Sequence, residues 1–158
     1  MGNQTICPTA KYFNGQLQNY IRIHNNFGAN HAKATQNFGK TKPIFTHSSS
    51  PGISSVAGVY TGNYSTDWSE MERNLKEVLE LSIAGVPLVS MAGCGSYAST
   101  NETKFLEEIC TRWYQLAAYM PAMYSFYEDN QYSRLPSSFS ISTGDLFLLC
   151  HDIFAHFI

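Results

Sequence analysis

Residues 56–91 read VAGVYTGNYSTDWSEMERNLKEVLELSIAGVPLVSM, and this stretch decides the fold. It begins with a short apolar run, residues 56–61, and ends with a second one, residues 86–91. Both runs have the length and the continuous apolar character of strands that are buried on two faces. The sequence therefore predicts two neighbouring strands of a parallel sheet, joined by the helix between them.

The helix between the two strands has a predicted start and end. Residues 66–70 have the form of a capping box, with Asp67 as the N-cap and the Glu70 side chain reaching back. Gly85 supplies the stop. Apolar residues recur at spacings of three and four, which predicts one buried face: Trp68, Met71, Leu75, Val78 and Leu79. Four carboxylates are expected on the solvated polar face: Glu70, Glu72, Glu77 and Glu80.

The same alternation continues on both sides of this unit. Residues 43–46 are predicted to form a buried strand, followed by a loop rich in Ser, Pro and Gly over residues 47–55. Residues 93–95 form a Gly-rich loop, after which a second amphipathic helix ends before Pro121. The buried face of that helix is predicted to contain Phe105, Leu106, Ile109, Trp113 and Leu116.

Two or three such units are typical of part of a (β/α)8 barrel, because a complete barrel needs about 250 residues and this chain has 158. We therefore expect an α/β fold: a partial TIM barrel with an open edge and an exposed apolar face. Only 14% of the residues are charged, against roughly 25% in an ordinary soluble domain, so the surface looks incomplete. The rest of a barrel, or another copy in a homo-oligomer, is the partner that this implies.

Charge and hydropathy exclude several classes of function. Residues 1–66 contain five cations and no Asp or Glu, but these cations are spread too widely to form a nucleic-acid-binding patch. No apolar run reaches the ~20 residues of a membrane-spanning helix. The first residues lack the basic and apolar regions of a signal peptide, so a secretory or extracellular location is expected only as part of a longer chain.

Cysteines and N-x-S/T triplets give weaker indications. The four cysteines contain no C-x-x-C pair, so neither a metal site nor a cofactor is predicted. Triplets at Asn3, Asn63 and Asn101 are candidate N-glycosylation sites and suit a secretory protein. Asn101 precedes a helix on a polar loop and is the better acceptor. Asn63 is either glycosylated in an open half-barrel or an unmodified loop residue.

From His24 to Pro121 the chain resembles the C-terminal half of the catalytic barrel of glycoside hydrolase family 31, the α-glucosidase family. Six motifs occur in the family's order: His24–Gly28 (H-N-L-Y-G), Lys42–Phe45 (R-P-F-I), Thr61–Trp68 (T-G-D-N-x-x-x-W), Gly85–Val89 (G-I-P-M-V), Gly93–Gly95 (I-C-G) and Cys110–Leu116 (C-V-R-W-M-Q-L). The resemblance divides the chain into an N-terminal segment, residues 1–23, a partial barrel, residues 24–139, and an unmatched tail, residues 140–158. We interpret the tail as an alternative C-terminus.

The resemblance also implies a disulfide. Cys94 and Cys110 lie at family positions that often pair across the loop between the seventh strand and its helix, and two free buried thiols are the alternative. Cys7 and Cys150 lie in unmatched regions and are unassigned.

The resemblance implies that the polar residues of the family's site are replaced. The acid/base aspartate falls on Asn63, whose amide donates no proton at neutral pH. The nucleophile's strand would precede His24, where the sequence has no Asp or Glu, so the pair of carboxylates that retaining glycosidases need about 5 Å apart is missing. The pocket positions are degenerate as well: His47 or Ser48 for the arginine, Ala92 for the aspartate, and Tyr124, Ser125 and Phe126 for R-N-H. We therefore expect no catalytic residue in this chain.

Three functions are compatible with this pattern. The preferred one is a family 31-like protein that does not hydrolyse glycosides and keeps the scaffold for binding or stability, similar to the family's non-catalytic, membrane-linked members. The second is an active glycosidase that hydrolyses O-glycosyl bonds and of which this chain is one part. The third is a module that binds a sugar or an anion through tyrosines near the barrel mouth: Tyr60, Tyr64, Tyr97 and Tyr124.

Overall fold

The computed structural model of the chain describes residues 6–13, 17–38, 43–98, 102–126 and 133–139. Its strands and helices in chain order are β1 Lys11–Phe13, β2 Leu17–Asn19, α1 Tyr20–Ile23, α2 Phe27–Phe38, β3 Phe45–Thr46, β4 Gly58–Tyr60, β5 Ser65–Thr66, α3 Trp68–Ile83, β6 Val89–Ala92, β7 Tyr97–Ala98, α4 Thr103–Ala117 and β8 Ala122–Tyr124. Three short 3-10 turns complete the list: His24–Asn26, Ile53–Ser55 and Pro136–Ser138. The candidate sites Asn3 and Asn101, and the tail from residue 140, lie outside the described residues.

Four strands form the central sheet in the order β3-β4-β6-β8, and every pair in it is parallel. Val59 of β4 lies opposite Val89 of β6, and Ser90 of β6 lies opposite Ala122 of β8. Helices α3 and α4 make the crossovers from β4 to β6 and from β6 to β8. This arrangement is the predicted α/β fold, a partial barrel of consecutive βα units.

Two small two-stranded sheets accompany the central one. Strands β1 and β2 pair antiparallel ahead of α1, and β5 and β7 pair parallel. The second pair joins the loop that follows β4 to the loop that follows β6, with Ser65 opposite Tyr97. The two loops at the carboxyl ends of neighbouring barrel strands are therefore held together by backbone hydrogen bonds.

The core lies between the central sheet and helices α3 and α4. On α4, Leu106, Ile109 and Trp113 are buried as predicted, and all four residues of β6 are buried too. A strand that is buried along its whole length is typical of a parallel sheet covered by helices.

Helix α3 begins and ends where the sequence predicts, but its buried face differs. Asp67 caps the helix by accepting a hydrogen bond from the Glu70 backbone N–H at 3.0 Å, and Gly85 follows the helix with a φ of 90°. The Glu70 side chain does not reach back; it pairs with Arg73 instead. Trp68 and Leu79, predicted to be buried, are 42% and 53% exposed.

The reason for that difference is visible in the packing of α3. Helix α3 contacts β6 through a narrow stripe in which Asn74 and Val78 are buried, while Met71 and Leu75 are partly buried. The Asn74 amide nitrogen donates to the carbonyl of Ala92 at 3.2 Å, which explains a buried polar residue in this stripe. Spacing alone predicts a wider apolar face than this contact covers.

Residues 92–96 turn the chain at the carboxyl end of β6. Cys94 and Gly95 both have left-handed backbone angles, φ 65° and φ 70°. A Cβ at residue 95 would lie 2.9 Å from the Tyr64 carbonyl oxygen, so this position requires glycine. Cys94 forms a disulfide with Cys110 of α4, the pairing that the resemblance implies. Cys7 is a free, exposed cysteine.

We predict that Asp67→Ala lowers the free energy of unfolding by about 1 kcal/mol, because it removes the N-cap of α3. Hydrogen bonds from the Ser69 hydroxyl and the Glu70 N–H keep the pKa of Asp67 below its usual 3.8. The contribution is therefore present above pH 3.8 and is lost as the pH falls through the lower folded pKa. Urea unfolding across this pH range measures it. Asp67→Asn, which keeps an acceptor but does not titrate, should retain most of the stability at neutral pH, and a variant as unstable as Asp67→Ala would contradict the cap.

We predict that breaking the Cys94–Cys110 disulfide lowers the free energy of unfolding by roughly 3 kcal/mol, because the bond closes a loop with a sequence separation of 16. Urea unfolding of the wild type and of the double variant Cys94→Ala/Cys110→Ala measures the loss. Dithiothreitol should weaken the wild type to the level of the double variant and leave the double variant unchanged. Equal stability of the oxidised and reduced wild type would contradict the prediction.

Candidate functional site

The candidate site residues lie together at one end of the central sheet. His47 directly follows β3, and Asn63 lies three residues beyond the end of β4. Ala92 is the last residue of β6, and Phe126 lies shortly after β8. Because β3, β4, β6 and β8 are parallel, their carboxyl ends share one edge, where the loops of such barrels carry the chemistry. We call this edge the mouth.

Three rings form an aromatic row across the mouth: His47, Tyr60 and Tyr124. The His47 and Tyr60 ring centroids are 5.2 Å apart with planes at 71°, and those of Tyr60 and Tyr124 are 5.5 Å apart at 74°. Both pairs have the edge-to-face geometry that aromatic rings prefer. The Tyr124 hydroxyl donates a hydrogen bond to the Thr61 carbonyl and is thereby tied to the end of β4. Burial raises the pKa of Tyr124 to about 12, so this hydroxyl stays protonated at neutral pH.

Thr61 fixes the end of β4 against β6. Its backbone N–H donates to the Ser90 carbonyl at 3.0 Å, and its hydroxyl accepts from the Ala92 N–H at 3.2 Å. Thr61 has no exposed surface. The sequence places Asn63 two residues further along, and its side chain is exposed.

Glu77 of α3 lies closer to the mouth than the sequence predicts. It is half-buried rather than on a solvated helical face, and its carboxylate accepts a hydrogen bond from the Gly62 backbone N–H. Burial raises the pKa of Glu77 above its usual 4.5, while the charge of His47 opposes the rise. The sequence does not predict this contact, because Glu77 lies on a helix and Gly62 in a separate loop, and helical spacing does not relate the two.

The remaining degenerate pocket positions hold no charged side chain. Ala92 is buried, and its carbonyl accepts from Asn74. Ser48 is exposed, with its backbone N–H donating to the Thr46 hydroxyl, and Phe126 is an exposed apolar residue. Tyr64, predicted to lie near the mouth, is 2% exposed, and its ring packs against Trp113.

The resemblance assigns catalytic and pocket residues to positions at the carboxyl ends of β3, β4, β6 and β8. Among the described residues, none of these positions holds an Asp or a Glu. Asp67, the nearest carboxylate to Asn63 in sequence, accepts hydrogen bonds from the Ser65 and Ser69 hydroxyls and caps α3. Among the described residues, no three His, Cys, Asp or Glu side chains are grouped to hold a metal ion. The described helices include none that is both long and apolar enough to cross a membrane.

The parallel sheet, its crossover helices and the placement of the candidate site residues at the strand ends define part of a (β/α)8 barrel. The sequence matches the Glycosyl hydrolases family 31 TIM-barrel domain over residues 2–148. The chain therefore belongs to glycoside hydrolase family 31, as the six motifs predict.

Curated relatives include alpha-glucosidases and sucrase-isomaltases. Lysosomal alpha-glucosidase of Rattus norvegicus is 30% identical over 141 residues, which are 86% of this chain and 14% of that protein. Intestinal sucrase-isomaltase of Homo sapiens is 30% identical over 148 residues, 88% of this chain and 8% of that protein. The chain thus spans only a small part of the length of these relatives.

Solved structures show the same fold. A family 31 dextranase of Flavobacterium johnsoniae, complexed with glucose, superposes with a TM-score of 0.74 at 17% identity, over 85% of this chain and 18% of that one. A family 31 alpha-glucosidase from Bacteroides thetaiotaomicron gives a TM-score of 0.70 at 18% identity, over 85% of this chain and 23% of that one. The likeness extends over most of the described residues and shows that they form one part of such a barrel.

We predict that Glu77→Gln flattens the dependence of stability on pH. The raised pKa means that the folded state binds this proton more tightly, so the stability it contributes is present below pH 4.5 and is lost as the pH rises through the folded pKa. Glutamine does not titrate but keeps an acceptor oxygen for the Gly62 N–H. Urea unfolding from pH 4 to pH 8 measures the slope, with Glu108→Gln on the exposed side of α4 as the control. Equal slopes in Glu77→Gln and the wild type would contradict the prediction.

Proposed function

We propose that this family 31 segment keeps the barrel scaffold but does not hydrolyse glycosides. The observation that carries the proposal is Asn63, exposed at the carboxyl end of β4 where the family motif has its acid/base aspartate. A neutral amide neither protonates a leaving oxygen nor activates a water molecule as a general base. One lost acid/base already removes the step that breaks the glycosidic bond at neutral pH.

The other strand ends support the same proposal. The family's sugar pocket has an arginine, an aspartate and an R-N-H triplet. At those positions this mouth has His47 or Ser48, Ala92, and Tyr124-Ser125-Phe126. The Glu77 carboxylate interacts electrostatically with His47. It also accepts a hydrogen bond from the Gly62 N–H and thereby holds the loop that follows β4. The scaffold interactions, in contrast, are complete: the disulfide, the Thr61 hydrogen bonds and the N-cap of α3.

Location and partners follow the family in this proposal. Relatives include a lysosomal and an intestinal α-glucosidase, and we place this protein in the secretory pathway on that basis. Among the described strands, β3 and β8 are the two ends of the central sheet, each with one paired neighbour. The rest of a barrel, from the same longer protein or from a second copy, is the partner that such edges fit.

Binding of a carbohydrate without hydrolysis is the second candidate function. The aromatic row favours it, because the rings of Tyr60 and Tyr124 are only partly buried and such faces stack on sugar rings. Calorimetric titration with glucose and maltose tests it, with Tyr60→Ala as the variant that should lose any heat of binding.

We predict that the purified chain releases neither nitrophenol from nitrophenyl α-glucoside nor fluoride from α-glucosyl fluoride. Fluoride leaves without protonation by an acid, so its release from α-glucosyl fluoride tests only whether a nucleophile is present. Asn63→Asp restores one carboxylate of two and should leave both rates at background. The rates are followed by absorbance and by a fluoride electrode.

Each other outcome contradicts the proposal in a different way. Fluoride release alone would mean that a nucleophile exists and that only the acid/base is lost. Nitrophenol release by the wild type would mean that the protein is an active glycosidase. Recovery of nitrophenol release in Asn63→Asp would mean that the pocket replacements do not matter.

A further inference from the structure

The Asn63-Tyr64-Ser65 triplet is the acceptor sequence for N-glycosylation, and all three residues lie in the described part of the chain. An N-glycan is bulky and hydrophilic, so a fold that accommodates one presents the acceptor asparagine to solvent. Asn63 is exposed, whereas Tyr64 on one side is buried against Trp113. The residue that would carry the sugar is thus the one that the loop presents outward.

Contacts of the residues around Asn63, and not of Asn63 itself, fix the conformation of this loop. Gly62 donates its N–H to Glu77, and Ser65 donates its hydroxyl to Asp67 at 2.8 Å and pairs with Tyr97 through β5 and β7. Among the described residues, the Asn63 amide has no hydrogen-bond partner. A glycan on its nitrogen therefore breaks no hydrogen bond that the fold uses.

The position of Asn63 determines what such a glycan would cover. A Cβ on the preceding residue, Gly62, would lie 3.0 Å from the His47 imidazole Nε2, so the chain at this point runs directly over the aromatic row. A sugar chain on the next residue is attached beside the same ends of β3 and β4. A glycan on Asn63 would obstruct the substrate of an active glycosidase. The inference therefore rests on the proposed loss of hydrolysis.

We propose that Asn63 is an N-glycan acceptor and that its glycan covers the mouth of the barrel. The amide nitrogen attacks C1 of the oligosaccharide of a lipid-linked diphosphate donor; an N–C bond forms, the C1–O bond breaks, the lipid diphosphate leaves and one amide proton is released. The replacement of aspartate by asparagine at this position thus removes the acid/base and creates the acceptor in one change.

Mass spectrometry after enzymatic release of glycans tests the acceptor. The chain is produced behind a secretion leader in mammalian cells, and N-glycans are removed by peptide amidase in oxygen-18 water. Release hydrolyses the modified amide, so a glycosylated Asn63 becomes an aspartate that carries one oxygen-18 atom. Transfer takes place on the chain as it enters the secretory pathway, so material retained because of misfolding gives the same reading.

Matched variants separate the triplet from the fold. Asn63→Gln and Ser65→Ala should abolish the label at residue 63, whereas Ser65→Thr, which keeps both a hydroxyl and the triplet, should retain it. An unlabelled Asn63 in wild-type chains overturns the proposal, whether or not Asn3 or Asn101 is labelled.

Acylation of histidines by diethylpyrocarbonate tests whether the glycan covers the mouth. His47 should react several-fold more slowly in the glycosylated chain than in Asn63→Gln, while His31, exposed on α2, should react equally in both. Equal rates at His47 would overturn the covering role. Hydrolysis of a nitrophenyl glucoside by Ser65→Ala, which keeps Asn63 as an amide and carries no glycan there, would overturn the proposed function instead, and the label at residue 63 would still decide the acceptor.

Discussion

The buried turn of residues 92–96 is the constraint on which the rest of the structure depends. Backbone polar groups that are removed from water must be paired, and most of this turn lies beyond the ladder that pairs Ala92 of β6 with Tyr124 of β8. Its partners come from every surrounding element: Thr61 and Asn74 bind the peptide groups of Ala92, and Gly93 donates to the Tyr124 carbonyl at 2.7 Å. The Thr66 hydroxyl donates to the Cys94 carbonyl at 2.7 Å, Ser96 donates its N–H to the Tyr64 carbonyl at 2.8 Å, and Arg134 donates to the Ser96 carbonyl at 2.7 Å. One turn thereby connects β4, α3, β8 and the segment at residues 133–139, and the disulfide adds α4.

This arrangement separates the residues that hold the loops from the residues that would do chemistry. Gly93 and Gly95 are required because a Cβ would collide with the Tyr114 ring and with the Tyr64 carbonyl. None of these interactions depends on a carboxylate at residue 63 or a charge at residue 92. The scaffold motifs of the family can therefore persist whichever residue stands at position 63, and family membership alone is compatible with either outcome for catalysis.

The sequence predicts the parts of this fold that local chemistry determines. The N-cap at Asp67, the left-handed Gly85 and the apolar runs around Val59 and Val89 each depend on neighbours within a few residues. Parallel strands then bring the residues after them to one mouth, so the positions of His47 and Asn63 follow from topology. Contacts between distant elements are not predicted in this way. From spacing alone, Trp68 and Leu79 are predicted to be buried on α3, but both are exposed. Glu77 is predicted to be solvated, but it is half-buried.

If the polar residues of this mouth are replaced as we propose, electrostatics gives a reason why they are replaced together. A buried charge is stable only beside a partner of opposite sign, so the loss of an acid leaves its arginine partner uncompensated. Neutral residues at the pocket positions, Ala92 and Phe126, remove that penalty, and Tyr124 remains protonated because burial raises its pKa to about 12. Glu77 and His47 still interact electrostatically at this edge of the sheet. The Glu77 carboxylate also accepts a hydrogen bond from the Gly62 N–H. In the proposed function, edge-to-face packing of His47, Tyr60 and Tyr124 stabilises the mouth, while the pair of carboxylates that hydrolysis needs is missing.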